Sequence, residues 1–322
     1  MPNSTMKMEF LLMGFSDIWE LRIFCASSFS LMYLVTLIGN FLIVIITTLD
    51  KSLHIPMYFF LRNLSILDIC YISVTVPNSF INALLDSHTI SKAGCVGQVF
   101  FVIYFAYVEL VFLTIMAHDR YVAICQPLHY SVIMNPRLCV QMTLASILSG
   151  LVYSGFHTGY TFRLPFCHSN VIHQFFCDIP SLLKLSCSDT FSNKMTLLAS
   201  GVIFCGGCFV FIIRSYIYIF SAVLKFPRGE DRKKAFSTCI PHILVVSIFL
   251  SSIFYVYLRP SAVSATIQDM VLSASYTIIP PLLNPIIYSL RNEQIKCAIK
   301  KIMKKYFNQE IHRKLCKLTL NY

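Results

Sequence analysis

Acidic side chains stand inside two apolar segments of this chain, where a charge is costly unless it is paired or used. Asp68 lies in the middle of one segment and Glu109 in the middle of the next. Together with the amides of Asn40 and Asn284 they predict a polar cluster. Such a cluster either binds a sodium ion or a proton, or forms a hydrogen-bonded network with one carboxyl protonated. We therefore expect no cofactor other than a sodium ion near Asp68 and Glu109.

A charged pair, Asp119 and Arg120, stands at the end of the segment that contains Glu109, within MAHDRYVAICQPLHY (residues 116–130). In a helix, positions 102, 106, 109, 113, 116 and 120 share one face. The rise of 1.5 Å per residue separates Val102 from Arg120 by about 27 Å. One stripe therefore joins a small, apolar outer region to Glu109 and then to Arg120. The charged pair is either a neutralised structural pair or part of a working surface at the helix end.

The remaining reactive residue types give no sign of catalysis. No nucleophile–base pair, phosphate-binding loop or zinc motif occurs in the sequence. Cys205, Cys208 and His157 lack a recognised ligand spacing, so no metal site is predicted. Five histidines fall on the predicted cytoplasmic half without a plausible catalytic partner: His54, His118, His129, His242 and His312.

Composition places these residues in a membrane. Of the 322 residues, 56% are hydrophobic and 13% are charged, whereas soluble domains carry about 25% charged residues. The long apolar runs do not alternate with polar residues, which favours helices over a barrel. No cleavable signal peptide is visible. We expect an all-α membrane protein, a seven-transmembrane helix bundle, because seven stretches reach the roughly 20 residues that a span needs: 24–49, 57–81, 96–122, 138–162, 195–224, 235–258 and 269–290.

The distribution of basic residues predicts the orientation. With residue 1 outside, the outer segments carry seven basic and seven acidic residues, and the inner segments carry 18 basic residues. Nearly all of the net charge of +11 then lies on the inner side, as the positive-inside rule requires. This predicts a membrane protein with an extracellular N-terminus (1–23), a membrane domain (24–290) and a cytoplasmic tail (291–322). The inner charge suits anionic membrane lipid, and nucleic acid is not an expected partner.

The residues after the last span predict a short interfacial helix. Ile295, Ala298, Ile299, Ile302 and Met303 recur at helical spacing among lysines. That pattern is typical of an amphipathic helix lying along the inner leaflet. Cys297 within it is either acylated or a plain cysteine.

Two outer features follow from the orientation. Asn3 begins an Asn-Ser-Thr sequon, so we expect it to be glycosylated on the outer side. Cys95, Cys167, Cys177 and Cys187 also fall on the oxidising side. Four cysteines allow three pairings, and their spacing does not choose among them.

Seven stretches of the chain together match a known pattern. They are LLMGFSD (11–17), Gly39-Asn40, PMYFFLRNLSILD (56–68), residues 116–130, Ser215-Tyr216, KAFSTC (234–239) and PLLNPIIYSLRN (281–292). Each alone is modest, but their joint occurrence in this order is very specific. The chain resembles the vertebrate olfactory receptors, a branch of the rhodopsin-like G-protein-coupled receptors.

The resemblance implies two disulfide bonds and an activation latch. The bonds are Cys95–Cys177 and Cys167–Cys187. In the latch, Asp119 holds the Arg120 guanidinium at rest, and activation frees it towards the G protein. The positions that the resemblance assigns to coupling and activation are Asp119, Arg120, Tyr121, Tyr216, Lys234 and Tyr288.

Three residues are unusual for the family. His118 stands where the family usually has tyrosine, and Pro241 where it usually has serine. We expect His118 to alter basal activity or coupling. Pro241 is expected to bend the sixth span, because proline removes a helical hydrogen bond. Arg214 is expected to snorkel to the inner interface.

Family position also implies a ligand pocket in the outer half of the bundle. Its wall is mostly apolar with a few donors, which suits a small volatile of limited polarity. Each aromatic residue in it is as consistent with core packing as with ligand contact. Arg259 invites an anionic ligand, although a salt bridge to Asp269 or solvation is favoured. The implied lining residues are Val102, Ile103, Ala106, Tyr107, Gly201, Phe204, Cys205, Tyr255, Leu258, Arg259, Ala262 and Thr277.

Together these expectations describe an odorant receptor that is not an enzyme. It is expected to bind a small odorant, activate a heterotrimeric stimulatory G protein and raise cyclic AMP. The alternatives are a related receptor for a metabolite in non-olfactory tissue, a small-molecule transporter or channel, and a structural or adhesion protein. A transporter needs a polar path through the bundle. An adhesion protein has no need of Asp68, Glu109 and Arg120 buried together.

Overall fold

The computed structural model describes residues 9–12, 19–85, 89–167, 170–172, 174–225, 229–258, 267–301 and 304, without the side chains of 21, 79, 82–85, 230–231, 234, 253–276 and 290–291. Seven long helices and three short ones dominate it, which confirms the predicted all-α class. The helices before residue 292 are α1 (Trp19–Leu49), α2 (Pro56–Leu85), α3 (Lys92–Cys125), α4 (Tyr130–Ile133), α5 (Pro136–Phe162), α6 (Ile179–Leu185), α7 (Phe191–Val223), α8 (Glu230–Leu258) and α9 (Ile267–Arg291).

The long helices have the length and surface of membrane spans. Six of them contain a stretch long and apolar enough to cross a bilayer. The seventh, α9, has 25 residues and is therefore about 37 Å long. The outer surface of the bundle is apolar; Val202, Ile203 and Val210 on α7 are all more than half exposed. Contiguous apolar surface of this kind needs lipid around it.

Helix α3 occupies the centre of the bundle, in contact with α2, α5, α7 and α8. Glycines allow two of the close helix packings. A β-carbon at Gly150 of α5 would lie 2.8 Å from Val108 Cγ2 of α3. A β-carbon at Gly39 of α1 would lie 2.9 Å from Pro285 Cγ of α9. Small residues at such points let helix backbones approach each other, so α5 packs closely on α3, and α1 on α9.

The outer end of the bundle is closed by a small sheet and by both disulfide bonds that the resemblance implies. Strand β1 (Glu9–Leu12) lies between β2 (Thr89–Ser91), to which it is antiparallel, and β3 (Val171–Ile172), to which it is parallel. Phe10 of β1 is buried, and its ring packs edge-on against Phe166 at 5.8 Å between centroids. Cys95–Cys177 and Cys167–Cys187 are both formed. The loop between α5 and α7 is thus tied to the outer end of α3.

A short helix over residues 293–301 follows α9, as the spacing of apolar residues predicted. Asn292 Oδ1 caps it by accepting hydrogen bonds from the backbone N–H of Gln294 at 3.0 Å and of Ile295 at 3.3 Å. Ile295 and Ala298 face the core. Tyr58 donates its hydroxyl to Asn292 Oδ1 at 3.1 Å and to Gln294 Oε1 at 2.8 Å. The start of α2 therefore anchors this helix; Ile302 and Met303 lie outside the described residues.

Candidate functional site

A cavity of about 170 Å³ lies between α3, α5, α7 and the loop that precedes α6, with further wall residues from α2, α8 and α9. One side of it is aromatic. The rings of Tyr107 and Phe204 stack at 4.1 Å between centroids, and Tyr153 lies 4.9 Å from Tyr107. Seven of the predicted pocket residues line the cavity: Val102, Ile103, Ala106, Tyr107, Gly201, Phe204 and Cys205.

The other predicted pocket residues are placed differently or lie outside the description. Thr277 is fully buried and hydrogen-bonded to Tyr71, which does line the cavity. Thr277 therefore contacts a residue of the cavity wall and does not itself line the cavity. The side chains of Tyr255 and Leu258, and the whole of Arg259, Ala262 and the sequon residue Asn3, are outside the described part of the chain.

The roof of the cavity was not predicted from the sequence. It is formed by Phe176, Cys177, Asp178 and Ile179, in the loop between α5 and α7. The implied bond from Cys177 to Cys95 was the available signal. Because Cys95 lies at the outer end of α3, the residues next to Cys177 must lie over that end of the helix. The disulfide bond therefore positions the roof, and the spacing of residues along a membrane helix could not have indicated it.

Polar contacts hold this roof in place. Gln98 of α3 accepts the Cys177 N–H at 2.8 Å through Oε1 and donates to the Val74 carbonyl at 3.0 Å through Nε2. Asp178 caps α6 by accepting the Ser181 N–H at 3.1 Å. Burial raises the pKa of the Asp178 carboxyl, and the hydrogen bonds from Ser181 oppose this rise. Gln98 thus links α2, α3 and the roof in one network.

The cavity wall also includes Glu109, which belongs to the polar cluster as well. Asn284 Nδ2 donates to Asp68 Oδ2 at 2.9 Å and to Glu109 Oε1 at 3.3 Å. All three side chains are buried. Asp68 Oδ1 has no hydrogen-bond partner among the described residues. Two buried carboxyl groups therefore share one amide donor, so the cluster needs a proton or a cation to be stable.

Asn40, the fourth predicted member of the cluster, makes its hydrogen bonds elsewhere. Its Nδ2 donates to the carbonyls of Thr36 and Pro281, both at 3.0 Å. It thus joins α1 to α9 beside the close contact of Gly39 with Pro285. The structure brings Asp68, Glu109 and Asn284 into one hydrogen-bonded group and places Asn40 in an adjoining helix contact.

At the opposite end of α3, Asp119 and Arg120 form a buried pair. Arg120 Nη2 and Nε donate to the same Asp119 oxygen, Oδ2, at 2.6 and 3.1 Å. Tyr130 donates its hydroxyl to the other oxygen, Oδ1, at 2.8 Å. Burial, followed by the Asp119 charge, raises the pKa of Tyr130. Both carboxylate oxygens are engaged, so the guanidinium is held in a closed arrangement.

Tyr216 and Tyr288, the expected partners of a freed Arg120, are buried in the same region. Tyr216 is hydrogen-bonded through its hydroxyl to His242 Nδ1 at 2.6 Å. Arg120 lies within electrostatic range of Tyr216, His242 and Tyr288. His242 was not among the residues predicted to act in coupling, although a histidine within an otherwise apolar span was a signal. This contact couples α7 to α8 next to the latch; the Lys234 side chain is not described.

The residues around His118 connect α3 with α7. The His118 ring lies 6.1 Å from the ring of Tyr121 and 5.8 Å from that of Phe211. Tyr121 is 5.8 Å from Tyr218, and the Arg214 guanidinium lies 5.8 Å from the Tyr218 ring. His118 therefore packs beside α7 rather than inside the latch. Pro241 lies within α8, which is helical on both sides of it.

The structure also shows the surroundings of His157, Cys205 and Cys208, the residues considered as metal ligands. His157 Nε2 is hydrogen-bonded to Ser200 Oγ at 3.0 Å. Cys205 and Cys208 are half-buried free thiols. In the part of the chain that the structure describes, no three His, Cys, Asp or Glu side chains are grouped so as to hold a metal ion.

The seven-helix bundle, with a cavity at one end of its central helix and a buried charged pair at the other, has the fold of rhodopsin-like receptors. Squid rhodopsin matches it with a TM-score of 0.68 at 18% identity, over 90% of this chain and 87% of that one. The olfactory receptor family model matches residues 29–306. Human olfactory receptor 14C36 is 73% identical over 96% of this chain and 99% of its own length, and human olfactory receptor 14I1 is 51% identical over 96% and 100%. The chain belongs to the olfactory receptor family.

Proposed function

We propose that the protein is a plasma-membrane odorant receptor with an extracellular N-terminus and a cytoplasmic C-terminus. It binds a small, mostly apolar volatile in the cavity and activates a heterotrimeric stimulatory G protein, which raises cyclic AMP. Membership of the family supports the receptor role. One observation carries the mechanism: α3 lines the cavity at Ala106 and holds the latch at Arg120, about 21 Å further along the same helix.

The ligand acts by selecting one of two states. It shifts their equilibrium only by its difference in affinity between them. In the active state the inner end of α8, near KAFSTC (residues 234–239), moves outward. Because the Tyr216–His242 hydrogen bond joins α7 and α8, this movement strains or breaks it. Arg120 then leaves Asp119 for Tyr216, Tyr288 and the G protein. The receptor carries out no covalent chemistry.

The shape and chemistry of the cavity indicate the class of ligand. Its volume of about 170 Å³ is below the range that drug-sized ligands occupy. Its surface is mainly apolar and aromatic, with the Tyr107–Phe204 stack as a flat wall. A compact, neutral molecule with few polar atoms fits these properties best.

Filling the cavity is expected to weaken odorant responses selectively. Gly201 lines the cavity, and a β-carbon at this position meets nothing within 4 Å. A phenylalanine there enters the ligand's space without a backbone clash, so Gly201→Phe is expected to lower odorant potency about tenfold or more. Cyclic AMP measured in cells over an odorant panel provides the test.

The neighbouring residue gives a matched control. Val202 points to the lipid side of α7 and is 63% exposed, so Val202→Phe adds a similar ring outside the cavity. It is expected to keep the wild-type response. Equal losses in both variants at equal surface expression would show that the cavity is not the odorant site.

We also propose that Asp68, Glu109 and Asn284 hold a sodium ion that stabilises the resting state. The unpartnered Asp68 oxygen and the shared amide donor support this. In isolated membranes, sodium is expected to lower basal nucleotide exchange compared with N-methylglucamine. Asp68→Asn and Glu109→Gln are expected to abolish that difference, since each removes a charge that binds the cation.

Glu293→Gln is the control for this test, because Glu293 is an exposed carboxylate paired with Lys296 at 2.8 Å. It is expected to leave sodium sensitivity intact. If both cluster variants keep the wild-type basal exchange and sodium response, the cluster is a protonated structural network and not an ion site.

A further inference from the structure

A second cavity, separate from the ligand cavity, opens at the latch end of the bundle. It has a volume of about 370 Å³ and lies where α1 ends and where α2 and α5 begin. Most of its wall is apolar, including Leu53, Ile55, Phe59 and Val140. Two basic side chains, Arg62 and His54, also line it. We call this space the inner cleft.

Arg62 gives the inner cleft a positive charge without a counter-charge. Its guanidinium lies 5.7 Å from the ring of Phe59, and it makes no salt bridge within the part of the chain that the structure describes. Asp50, a carboxylate in the adjoining loop, is engaged by Ser52 and by Lys301. The hydrogen bonds from Ser52 lower the pKa of Asp50 and keep it ionised. Arg62 is therefore available to an anion from outside the described chain.

The other polar groups in the inner cleft leave room for that anion. Tyr58 and Thr47 use their hydroxyls internally, on Asn292 and Ile43. His54 Nε2 is 3.1 Å from the Thr48 carbonyl. Because a carbonyl only accepts, Nε2 carries the hydrogen and donates this bond. Arg62 is therefore the side chain that can donate to an acceptor in the inner cleft.

The surface beside the inner cleft is suited to acyl chains. Val140, Leu144 and Leu148 follow each other at four-residue spacing on α5, and all are about half exposed. Ile66, one turn beyond Arg62 on α2, is also an exposed apolar residue. From Val140 to Leu148 the strip runs about 12 Å towards the middle of the membrane. A ligand with an anionic head and apolar tails matches both the basic cleft and the strip.

The depth of Arg62 in the membrane limits which anions can reach it. Arg62 lies six residues beyond Pro56, the first residue of α2, and so about 9 Å into the span. A cation at that depth either snorkels to water or pairs with a headgroup. We propose that the inner cleft binds the phosphate headgroup of an anionic phospholipid of the cytoplasmic leaflet, with its acyl chains along the α5 strip. This assignment uses the orientation proposed above and is independent of the odorant.

Native mass spectrometry of the detergent-solubilised receptor tests the proposal. The receptor is titrated with phosphatidylserine and with phosphatidylcholine of the same acyl chains. The wild type is expected to retain phosphatidylserine preferentially. Arg62→Gln is expected to reduce that preference about tenfold, the size expected when a charge-assisted hydrogen bond is lost. Arg62→Lys keeps the charge and is expected to keep most of the preference.

Arg137→Gln is the matched control. Arg137 is exposed at the start of α5, beside the inner cleft but not in its wall, and its removal changes the net charge equally. It is expected to leave the preference unchanged. Equal losses in the two glutamine variants would show diffuse attraction and overturn the proposal, as would an unaltered preference in Arg62→Gln. An unchanged melting temperature for each variant excludes unfolding as the cause.

Discussion

Arg120→Ala is expected to abolish the odorant-evoked rise in cyclic AMP while leaving odorant binding in place. Arg120 is 8% exposed and makes two hydrogen bonds to one oxygen of Asp119. In the proposed active state the same guanidinium contacts the G protein, so alanine removes the contact that signalling needs. A loss of at least about tenfold is expected, since charge-assisted hydrogen bonds are each worth about 1.5–3 kcal/mol. Cyclic AMP in cells, normalised to surface receptor, measures it.

Two further variants separate the latch from general damage. Asp119→Asn removes the charge that holds Arg120 and is expected to raise basal cyclic AMP, because the closed state loses its charge-assisted bonds. Arg137→Ala removes an exposed arginine on the same side and is expected to respond normally. A full odorant response in Arg120→Ala at wild-type surface level would remove this arginine from the signalling mechanism.

Cys95→Ser and Cys177→Ser are each expected to prevent the receptor from reaching the cell surface. Their bond joins residues separated by 82 positions, and closing a loop of that length restricts the unfolded chain by about 4–5 kcal/mol in the chain-entropy model. The same bond holds the roof over the cavity. Surface immunolabelling measures the delivered receptor, and ligand binding to any remaining fraction measures the cavity.

The double variant distinguishes loss of the bond from loss of either thiol. Because both serines break one bond, Cys95→Ser with Cys177→Ser is expected to be no worse than either single change. Cys70→Ser, at a half-buried free thiol in α2, is the control and is expected to behave as wild type. Additive losses, or normal surface levels in the single variants, would contradict a structural role for the bond.

The membrane class was predictable because a bilayer requires long apolar helices whatever their partners. The importance of three charged residues of α3 could be recognised for the same reason. Glu109, Asp119 and Arg120 lie in a membrane span, where polar groups are energetically costly. Spacing along α3 also placed Val102 and Ala106 on a common face, and both line the cavity. The helical membrane fold and the charged residues within its apolar helices could therefore be predicted from hydropathy and from helical spacing.

Contacts set by tertiary packing could not be predicted in this way. Which pairs the four outer cysteines form depends on how the loop folds, and the resemblance, not the spacing, supplied the pairing. The approach of His242 to Tyr216 depends on the rotation of two helices about their axes. Asn40 was grouped with Asp68 by its polarity, whereas its amide bonds to the Pro281 carbonyl. Hydropathy gives the depth of a residue but not the neighbour it faces.

Glu109 is shared by the cavity and the polar cluster, and this has a thermodynamic consequence. Two ligands that contact one side chain are coupled if either changes its charge or position, and the coupling free energy between them is reciprocal. If a cation at Asp68 and Glu109 weakens odorant binding by some factor, saturating odorant weakens cation binding by the same factor. The ionic composition of the fluid around the membrane then also determines how sensitive the receptor is to its odorant, and this dependence acts through the Glu109 carboxylate.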